Sequence, residues 1–367
     1  MRTFTRIVVL IINTLFVFGT VLIIAAVNIS PVHLWYLAMI GFSFPIVMIF
    51  HFIFIFFWLL TRHKLYSIIS LVCIIIGFSI GGFPYEFHKK TKEKGIKIMT
   101  YNVKNFDLYN WHGNFKLRDS IIDYLKEIKP DIICFQEYYN DKVNTYNTND
   151  SLRRILHLPY VHYESLVKVN TIYDFGMATL SKYPILHQSK LFDTKRSTNN
   201  VIVTDIKIGN DTIRIFNCHM ESIHLVKSNF ETIDKIKDRT YNSSDSSGLR
   251  DIFQKLKKGF YKRATQADTV SMAIKNSPYP VMVCGDFNDI SLSYTYHTIK
   301  THNDLIDAFR NSGHGMGGTY IGKLPSFRID YILHSKSITS WNFSTGNRIL
   351  SDHYPIYCRF KITHDAK

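Results

Sequence analysis

Asp131-Ile132-Ile133-Cys134-Phe135-Gln136-Glu137 is a short apolar run that follows Pro130 and ends on an amide and an acid. Four apolar residues between such boundaries read as a buried strand, with Glu137 at its end. Just upstream, Leu117, Ile121, Ile122, Leu125 and Ile128 recur at helical spacing until Pro130 stops them. Before that helix, 96–101 reads as a strand with Asn102 following. Further strands are expected over 176–180, 201–208, 212–218, 281–284, 329–333 and 354–360. Helix and strand therefore interleave. There is no internal repeat, and the compositionally biased loop is 242–248, rich in Ser and Asn.

The ends of these strands carry Asn102, Glu137, His219, Asp286 with Asn288, Asp330, and Asp352 with His353. In layered sheet proteins the loops at one set of strand ends converge, so groups far apart in sequence meet in space. A hard cation such as Mg²⁺ takes oxygen ligands and accepts one or two protein carboxylates, a need that Glu137 and Asp352 fit. Phosphodiester hydrolysis also requires a group to orient or deprotonate water, and donors for the charge that builds on the phosphoryl oxygens. Two histidines and the Asp286-x-Asn288 pair supply them. Taken singly, each motif has a plainer reading. Asn102 is then a turn former, Glu137 a solvated strand end, His219 a half-buried histidine, and Ser351-Asp352-His353 a helix cap. Their recurrence after short apolar runs along the whole stretch favours the common site.

Ahead of this stretch the chain has another character. Three apolar spans, 7–27, 33–60 and 65–83, are each long enough to cross hydrocarbon as a helix, and no Asp or Glu occurs before Glu86. A cleavable signal peptide is the alternative for the first span, since Arg2 and Arg6 precede it and Ala25 and Ala26 stand near its end. The two spans that follow would hold the chain in a bilayer in either case. Residues 1–85 are thus expected to be a membrane anchor, 86–95 a charged linker, and 96–367 one catalytic domain. Arg2, Arg6, Arg62 and Lys64 fall on one side, which places the amino terminus in the cytoplasm and the domain outside, although Lys89, Lys90, Lys92 and Lys94 pull the other way. An integral protein of a bacterial inner membrane is the expectation. Those four basic residues leave the rest of the chain +11 of the formal +15, an excess that favours anionic partners. The five cysteines show no paired short spacing and read as buried free thiols.

Ile98-Met99-Thr100-Tyr101-Asn102-Val103, Asp131 to Glu137, Gly285-Asp286-Phe287-Asn288, Arg328-Ile329-Asp330-Tyr331-Ile332 and Ser351-Asp352-His353-Tyr354-Pro355 resemble, in order, the signature blocks of the endonuclease/exonuclease/phosphatase superfamily. The resemblance covers about 96–361. It implies an α/β (α+β) four-layer sandwich, two mixed β-sheets packed face to face with helices outside, here preceded by three transmembrane helices. It also implies Mg²⁺, with Mn²⁺ as a substitute, held chiefly by Glu137, with Asn102 beside it and Asp352 nearby. Asp286 would align or activate water, and Asn288 would hold the phosphate or that water. His353, oriented by Asp330, would contact the scissile phosphate, and His219 would donate to another phosphoryl oxygen. Some nucleases of the family give the histidine equivalent to His219 a carboxylate partner, which this sequence does not place.

The expected activity is metal-dependent phosphodiester hydrolysis, nuclease-like, at a lipid bilayer. A phospholipid or sphingomyelin phosphodiesterase, or an inositol-phosphate phosphatase, is the alternative, and a catalytically silent membrane scaffold is the second. Specificity would lie in the loops 105–115, 138–148 and 313–325. The first holds Phe106, Tyr109, Trp111 and Phe115, suited to base stacking or an interfacial loop, or packed on their own domain. Between Ser222 and Tyr261 the chain departs from a compact version of the pattern with a basic segment. Its second half, with Leu249, Ile252, Phe253, Leu256 and Phe260, reads as an amphipathic helix. It is a solvated helix face, a contact with an anionic bilayer, or a lip over the substrate.

Overall fold

Apolar side chains at alternate positions along a strand serve opposite faces of a sheet, and here both faces are covered. A computed structural model describes residues 3–110, 116–141, 148–169, 173–193, 197–238, 240, 242, 246–322 and 327–363. They form two units, one of 1–83 with 222–267 and 290–298, the other of 84–221 with 268–289 and 299–367.

The second unit holds the sheets. Its strands are β1 (Glu86–Phe87), β2 (Ile96–Asn102), β3 (Ile132–Asp141), β4 (Tyr160–Val169), β5 (Tyr173–Ser181), β6 (Ile185–Lys190) and β7 (Asn200–Ile208). They continue with β8 (Asp211–His219), β9 (Val281–Asp286), β10 (Ile306–Asp307), β11 (His314–Gly315), β12 (Asp330–His334), β13 (Ile338–Thr345) and β14 (Ile356–Ile362). One six-stranded sheet runs β13-β14-β2-β3-β5-β4 and the other β10-β12-β9-β8-β7-β6. Both are mixed, because β2 pairs β3 and β8 pairs β9 in parallel while the remaining pairs are antiparallel.

The pleat decides the layers. Ile98, Ile132, Cys134, Ile356 and Cys358 of the first sheet meet Ile206, Ile213, Ile215, Met282, Cys284 and Ile332 of the second in one buried cluster. Their strand neighbours Met99, Tyr101, Ile133 and Phe135 point the other way. They pack on Ile121, Ile122 and Leu125 of the helix Lys116–Ile128 and on Leu152 of the helix Thr148–Leu156. Leu125 is wholly buried, which explains why the helix needs its apolar spacing. This is the α/β sandwich expected from the resemblance. All five cysteines are buried free thiols.

The layer between the sheets is not uniformly apolar. Gln136 Nε2 donates to Asn217 Oδ1 (2.7 Å), and Asn217 Nδ2 donates to the carbonyls of Phe135 (3.2 Å) and Ala178 (3.0 Å). Both side chains are fully buried, so the bonds tie β8 to β3 and β5 across the sandwich. Leaving such groups unmade costs about 1–3 kcal/mol each. Asn217→Ala is therefore expected to lower stability by about 2–4 kcal/mol, read as the loss in thermal midpoint of the purified chain; an unchanged midpoint would remove the network from the list of what holds the sheets together.

The first unit contains three helices long and apolar enough to cross a membrane, Thr3–Asn28, Leu37–Leu59 and Lys64–Gly81. Ile23, Val27, Phe44, Val47, Met48 and Ile74 pack among them. A Cβ on Gly77 would lie 2.7 Å from Met48 Sδ, so that glycine permits the close approach of two helices. Within the bundle Thr20 Oγ1 lies 2.9 Å from His51 Nε2, Ser70 Oγ lies 3.2 Å from His51 Nδ1, and Ser70 donates to Asn13 Oδ1 (3.0 Å). Leu292 shares the bundle's core, against Phe44 and Gly81, and its carbonyl oxygen would stand 2.5 Å from a Cβ on Gly41. The stretch 290–298 thus seats on the end of the bundle where Gly81 leads out of the last helix.

Candidate active site

Two local departures from regular strand geometry build the site. Pairing of β3 with β5 shifts register between Phe135 and Tyr138, and Glu137 within that bulge has φ 46°. In an unbroken strand Glu137 would follow Ile133 and Phe135 toward the helices. Tyr138 takes that place in the core cluster instead, and the bulge re-aims the Glu137 carboxylate. At Gly285 φ is 136° and a Cβ would lie 2.0 Å from the carbonyl oxygen of Cys218. Only glycine lets β9 approach β8 so closely, and the register then sets Asp286 beside His219. Asp286 is also opposite Asp330 on β12, and Asn102 is opposite Gln136, one residue before Glu137.

These registers converge on one oxygen. Asp286 Oδ2 accepts a hydrogen bond from Asn102 Nδ2 (3.2 Å) and stands 3.7 Å from His353 Nε2 and 3.9 Å from His219 Nε2. Glu137 Oε1 lies 3.6 Å from the same His219 nitrogen and accepts from Asn102 Nδ2 (3.3 Å). The imidazole distances exceed those of a hydrogen bond, leaving these contacts electrostatic. The other oxygen, Asp286 Oδ1, accepts the backbone N–H of Asn288 (2.8 Å), and Asn288 has φ 52°. Its side-chain amide donates to the Met220 carbonyl (3.0 Å), so Asn288 braces the turn that carries Asp286.

His353 Nδ1 donates to Asp330 Oδ2 (2.9 Å), and the Asp330 backbone N–H donates to Thr319 Oγ1 (3.2 Å). Burial opposes a charge on His353, but the carboxylates of Asp330 and Asp286, the Asp330 hydrogen bond and Asp352 outweigh it and raise its pKa to about 10. The ring is therefore a cation at neutral pH. Burial pushes the Asp286 carboxyl up; His353 pulls it back, Asp330 adds to the rise, and His219 and the Asn288 N–H lower it, for a balance of about 6. Asp286 is thus an anion at neutral pH, but a reluctant one.

Asp352 takes a separate position. Its carboxylate is 3.4 Å from Lys104 Nζ and accepts from Ser351 Oγ (3.2 Å). Several residues of the site are invisible to strand-end reading. His219 Nδ1 donates to the carbonyl oxygen of Thr198 (3.2 Å), and Asn199 Nδ2 lies 3.4 Å from its Nε2. The partner that fixes this ring is therefore a backbone carbonyl, which no side-chain motif announces. Tyr320 sets its ring edge-on to His353 with centroids 5.5 Å apart. Of the loop 105–115, Phe106 is buried against Phe135 and Tyr138, so it belongs to the core rather than to a stacking surface. Trp111 and Phe115 lie outside the described residues, as do 142–147 and 323–326 of the other two loops.

The donor set suits a hard cation. Glu137 and Asp352 offer carboxylate oxygens, while Asn102 turns its amide nitrogen to the Glu137 and Asp286 carboxylates and its Oδ1 accepts the Lys104 backbone N–H (3.1 Å). Asp286, Asp330 and His353 form a second group of ligand-type atoms, all within 4.8 Å of one another. In that group the imidazolium of His353 offsets one carboxylate charge.

A two-sheet sandwich with acid, amide and imidazole groups gathered at its strand ends is an arrangement that phosphoester hydrolases use. The chain belongs to the endonuclease/exonuclease/phosphatase family, whose family model matches residues 99–353. Residues 5–82 match a second model, a domain of unknown function (DUF8431). No curated protein matches the chain. Among solved structures, an endonuclease/exonuclease/phosphatase family protein from Leptotrichia buccalis is similar at 17% identity over 73% of this chain and 100% of its own, with TM-score 0.49. The human Nocturnin catalytic domain with bound sulfate anion is similar at 14% identity over 75% and 98%, with TM-score 0.49. D. rerio TDP2 complexed with single strand DNA product is similar at 17% identity over 73% and 100%, with TM-score 0.47.

Proposed function

We propose that the chain is a membrane-anchored, Mg²⁺-dependent phosphodiester hydrolase. The supporting observation is the Asp286 carboxylate oxygen faced by Asn102, His353 and His219 at once. Asp286, an anion above about pH 6, accepts a proton from the attacking water. That water's oxygen bonds to phosphorus as the ester oxygen leaves, and the departing alkoxide takes up a proton. His353, held cationic by Asp330, acts as an electrostatic stabiliser of the phosphoryl oxygens rather than as the base. His219 faces the same space, fixed by Thr198, and donates to a phosphoryl oxygen when protonated. Glu137, Asn102 and Asp352 would hold the Mg²⁺ ion. When bound, it supplies Lewis-acid neutralisation of the charge growing on phosphate.

Nucleic acid is the first substrate class, favoured by the +11 balance outside the first 83 residues. The second reading is a phospholipid or sphingomyelin head group. It is favoured by the stretch 290–298, which begins two residues after Asn288 and packs on the end of the three-helix bundle. A bacterial inner membrane with the catalytic part outside is the proposed location. The test is a panel of plasmid DNA, RNA, sphingomyelin, phosphatidylglycerol and inositol phosphates given to the full chain in detergent micelles with and without Mg²⁺. Turnover of one class assigns the substrate; silence on all of them, with bound metal demonstrated, would leave a membrane scaffold.

A further inference from the structure

Residues 222–267 of the basic insertion group with the three apolar helices in the first unit. Its main element is the helix Ser246–Lys275. Along 250–267 one side of this helix is buried, with Ile252, Phe260, Arg263, Ala264 and Ala267. An adjoining side exposes Arg250, Phe253, Lys257, Lys258 and Tyr261, with Gln254 and Thr265 between them. At 3.6 residues per turn these five fall on an arc of about 140°. Phe253 and Tyr261 are 44% and 48% exposed, high for aromatic side chains that an isolated soluble helix would gain by burying. Asp251 is the single acid between Arg250 and Ala267. It is committed elsewhere, accepting from Asn229 Nδ2 (2.6 Å) and pairing with Lys255 Nζ (2.9 Å). Within 250–267 the exposed arc therefore carries positive charge and aromatic surface with no further acid from its own stretch of helix.

We propose that this face docks on anionic phospholipid head groups of the bilayer that the three helices cross. Lys and Arg about a helix with aromatics among them match an anionic interface, where ammonium and guanidinium groups meet phosphate and the ring edges enter the head-group layer. A merely solvated helix face would not need Phe253 and Tyr261 beside the cations. The inference rests on the membrane reading above but not on the catalytic one.

The full chain is reconstituted in nanodiscs with either neutral lipid alone or added phosphatidylglycerol, and Tyr261→Cys carries a fluorescent label. The native cysteines are buried, which favours labelling at the new site. Quenching by a head-group nitroxide lipid is compared with quenching by a water-soluble nitroxide. The expected ratio is several-fold higher with phosphatidylglycerol than without it, and falls several-fold in Arg250→Glu/Lys257→Glu/Lys258→Glu. An unchanged ratio in both comparisons overturns the docking. So does protection of the label by added DNA or RNA in place of lipid. A second label at Ile53→Cys, on an exposed position of the second apolar helix, separates the failures. Lipid quenching at 53 without it at 261 removes the docking alone, whereas absence at both removes the membrane reading. Thermal midpoints equal to that of the parent show that the triple substitution leaves the fold intact.

Discussion

Asp286→Asn is expected to lower kcat/KM by about 10²–10⁴, the usual contribution of a positioned base, while making the protein more stable. The two effects have one origin. Asp286 is 1% exposed, and its carboxyl, at about 6, titrates above the ordinary aspartate value near 3.8. A carboxyl whose folded-state pKa is raised binds its proton more tightly in the folded chain, so ionisation opposes folding. That penalty is fully present above pH 6, shrinks as pH falls from 6 toward 3.8, and vanishes below. Its size at pH 7 is up to about 3 kcal/mol. The amide keeps the shape and drops the charge, and it gives up one of the two acceptors used by Asn102 Nδ2 and the Asn288 N–H, which takes back part of the gain. The thermal midpoint of Asp286→Asn should therefore exceed that of the parent at pH 8, with the gap closing near pH 4. In the parent, kcat/KM should fall on the acid side with an inflection near pH 6. A midpoint that drops at pH 8, or an acid limb near 4, would show that burial does not set this carboxyl's affinity for its proton.

His353 carries the opposite sign. Its pKa rises to about 10 in the folded chain, so its interaction with Asp330 stabilises fully below pH 6.5 and is lost as pH climbs toward 10. Asp286 thus stores a cost that His353 partly offsets, and the pair stands charged over the neutral range. Both values move upward with opposite effects on stability, and a carboxylate near 6 beside an imidazolium held to about 10 divides the acid and base duties.

Strand ends were the part of this molecule that the sequence displayed best. Asn102, Glu137, His219 and Asp286 follow apolar runs because central strands, covered on both faces, must be apolar until they reach solvent or a site, whereas Asp330 opens such a run. The helix Lys116–Ile128 is equally legible from its apolar spacing. What escaped is systematic. Tyr160–Val169, Ile185–Lys190 and Ile338–Thr345 are all edge strands. An edge strand is half solvated and takes charged and polar residues that blunt further pairing, as His187, Gln188 and Lys190 do in β6, so it lacks the apolar run that betrays a central strand. The length of β3 is hidden for another reason. β3 continues to Asp141 through its bulge, and a bulge has no signature in a single sequence. Within the site, the partners that act through backbone atoms, Thr198 above all, are illegible for the same reason that motifs are legible: a carbonyl has no side-chain identity. Asp352 shows the remaining limit. Its place beside His353 in sequence does not place its carboxylate, which turns to Lys104.

Glu137→Gln is expected to reduce Mg²⁺-dependent turnover about 10³-fold, because a divalent ion contributes several kcal/mol of transition-state charge stabilisation. The substitution retains length and shape, removes the charge and turns one acceptor oxygen into a donor. Glu137 is suited to the role by its surroundings: it sits on a bulge at φ 46°, its side chain is 31% exposed to incoming solvent and ions, and its Oε1 already faces Asn102 and His219. Asp286, at 1%, is too enclosed to serve as the first carboxylate an ion meets. Binding is read separately from catalysis by the Mn²⁺ retained per chain in electron paramagnetic resonance, with Asp286→Asn as comparison. Glu137→Gln should lose both ion and turnover, whereas Asp286→Asn should lose turnover and hold the ion. If Glu137→Gln bound Mn²⁺ as the parent does, the metal would have to be assigned to other carboxylates, and the bulge in β3 would need another reason to exist.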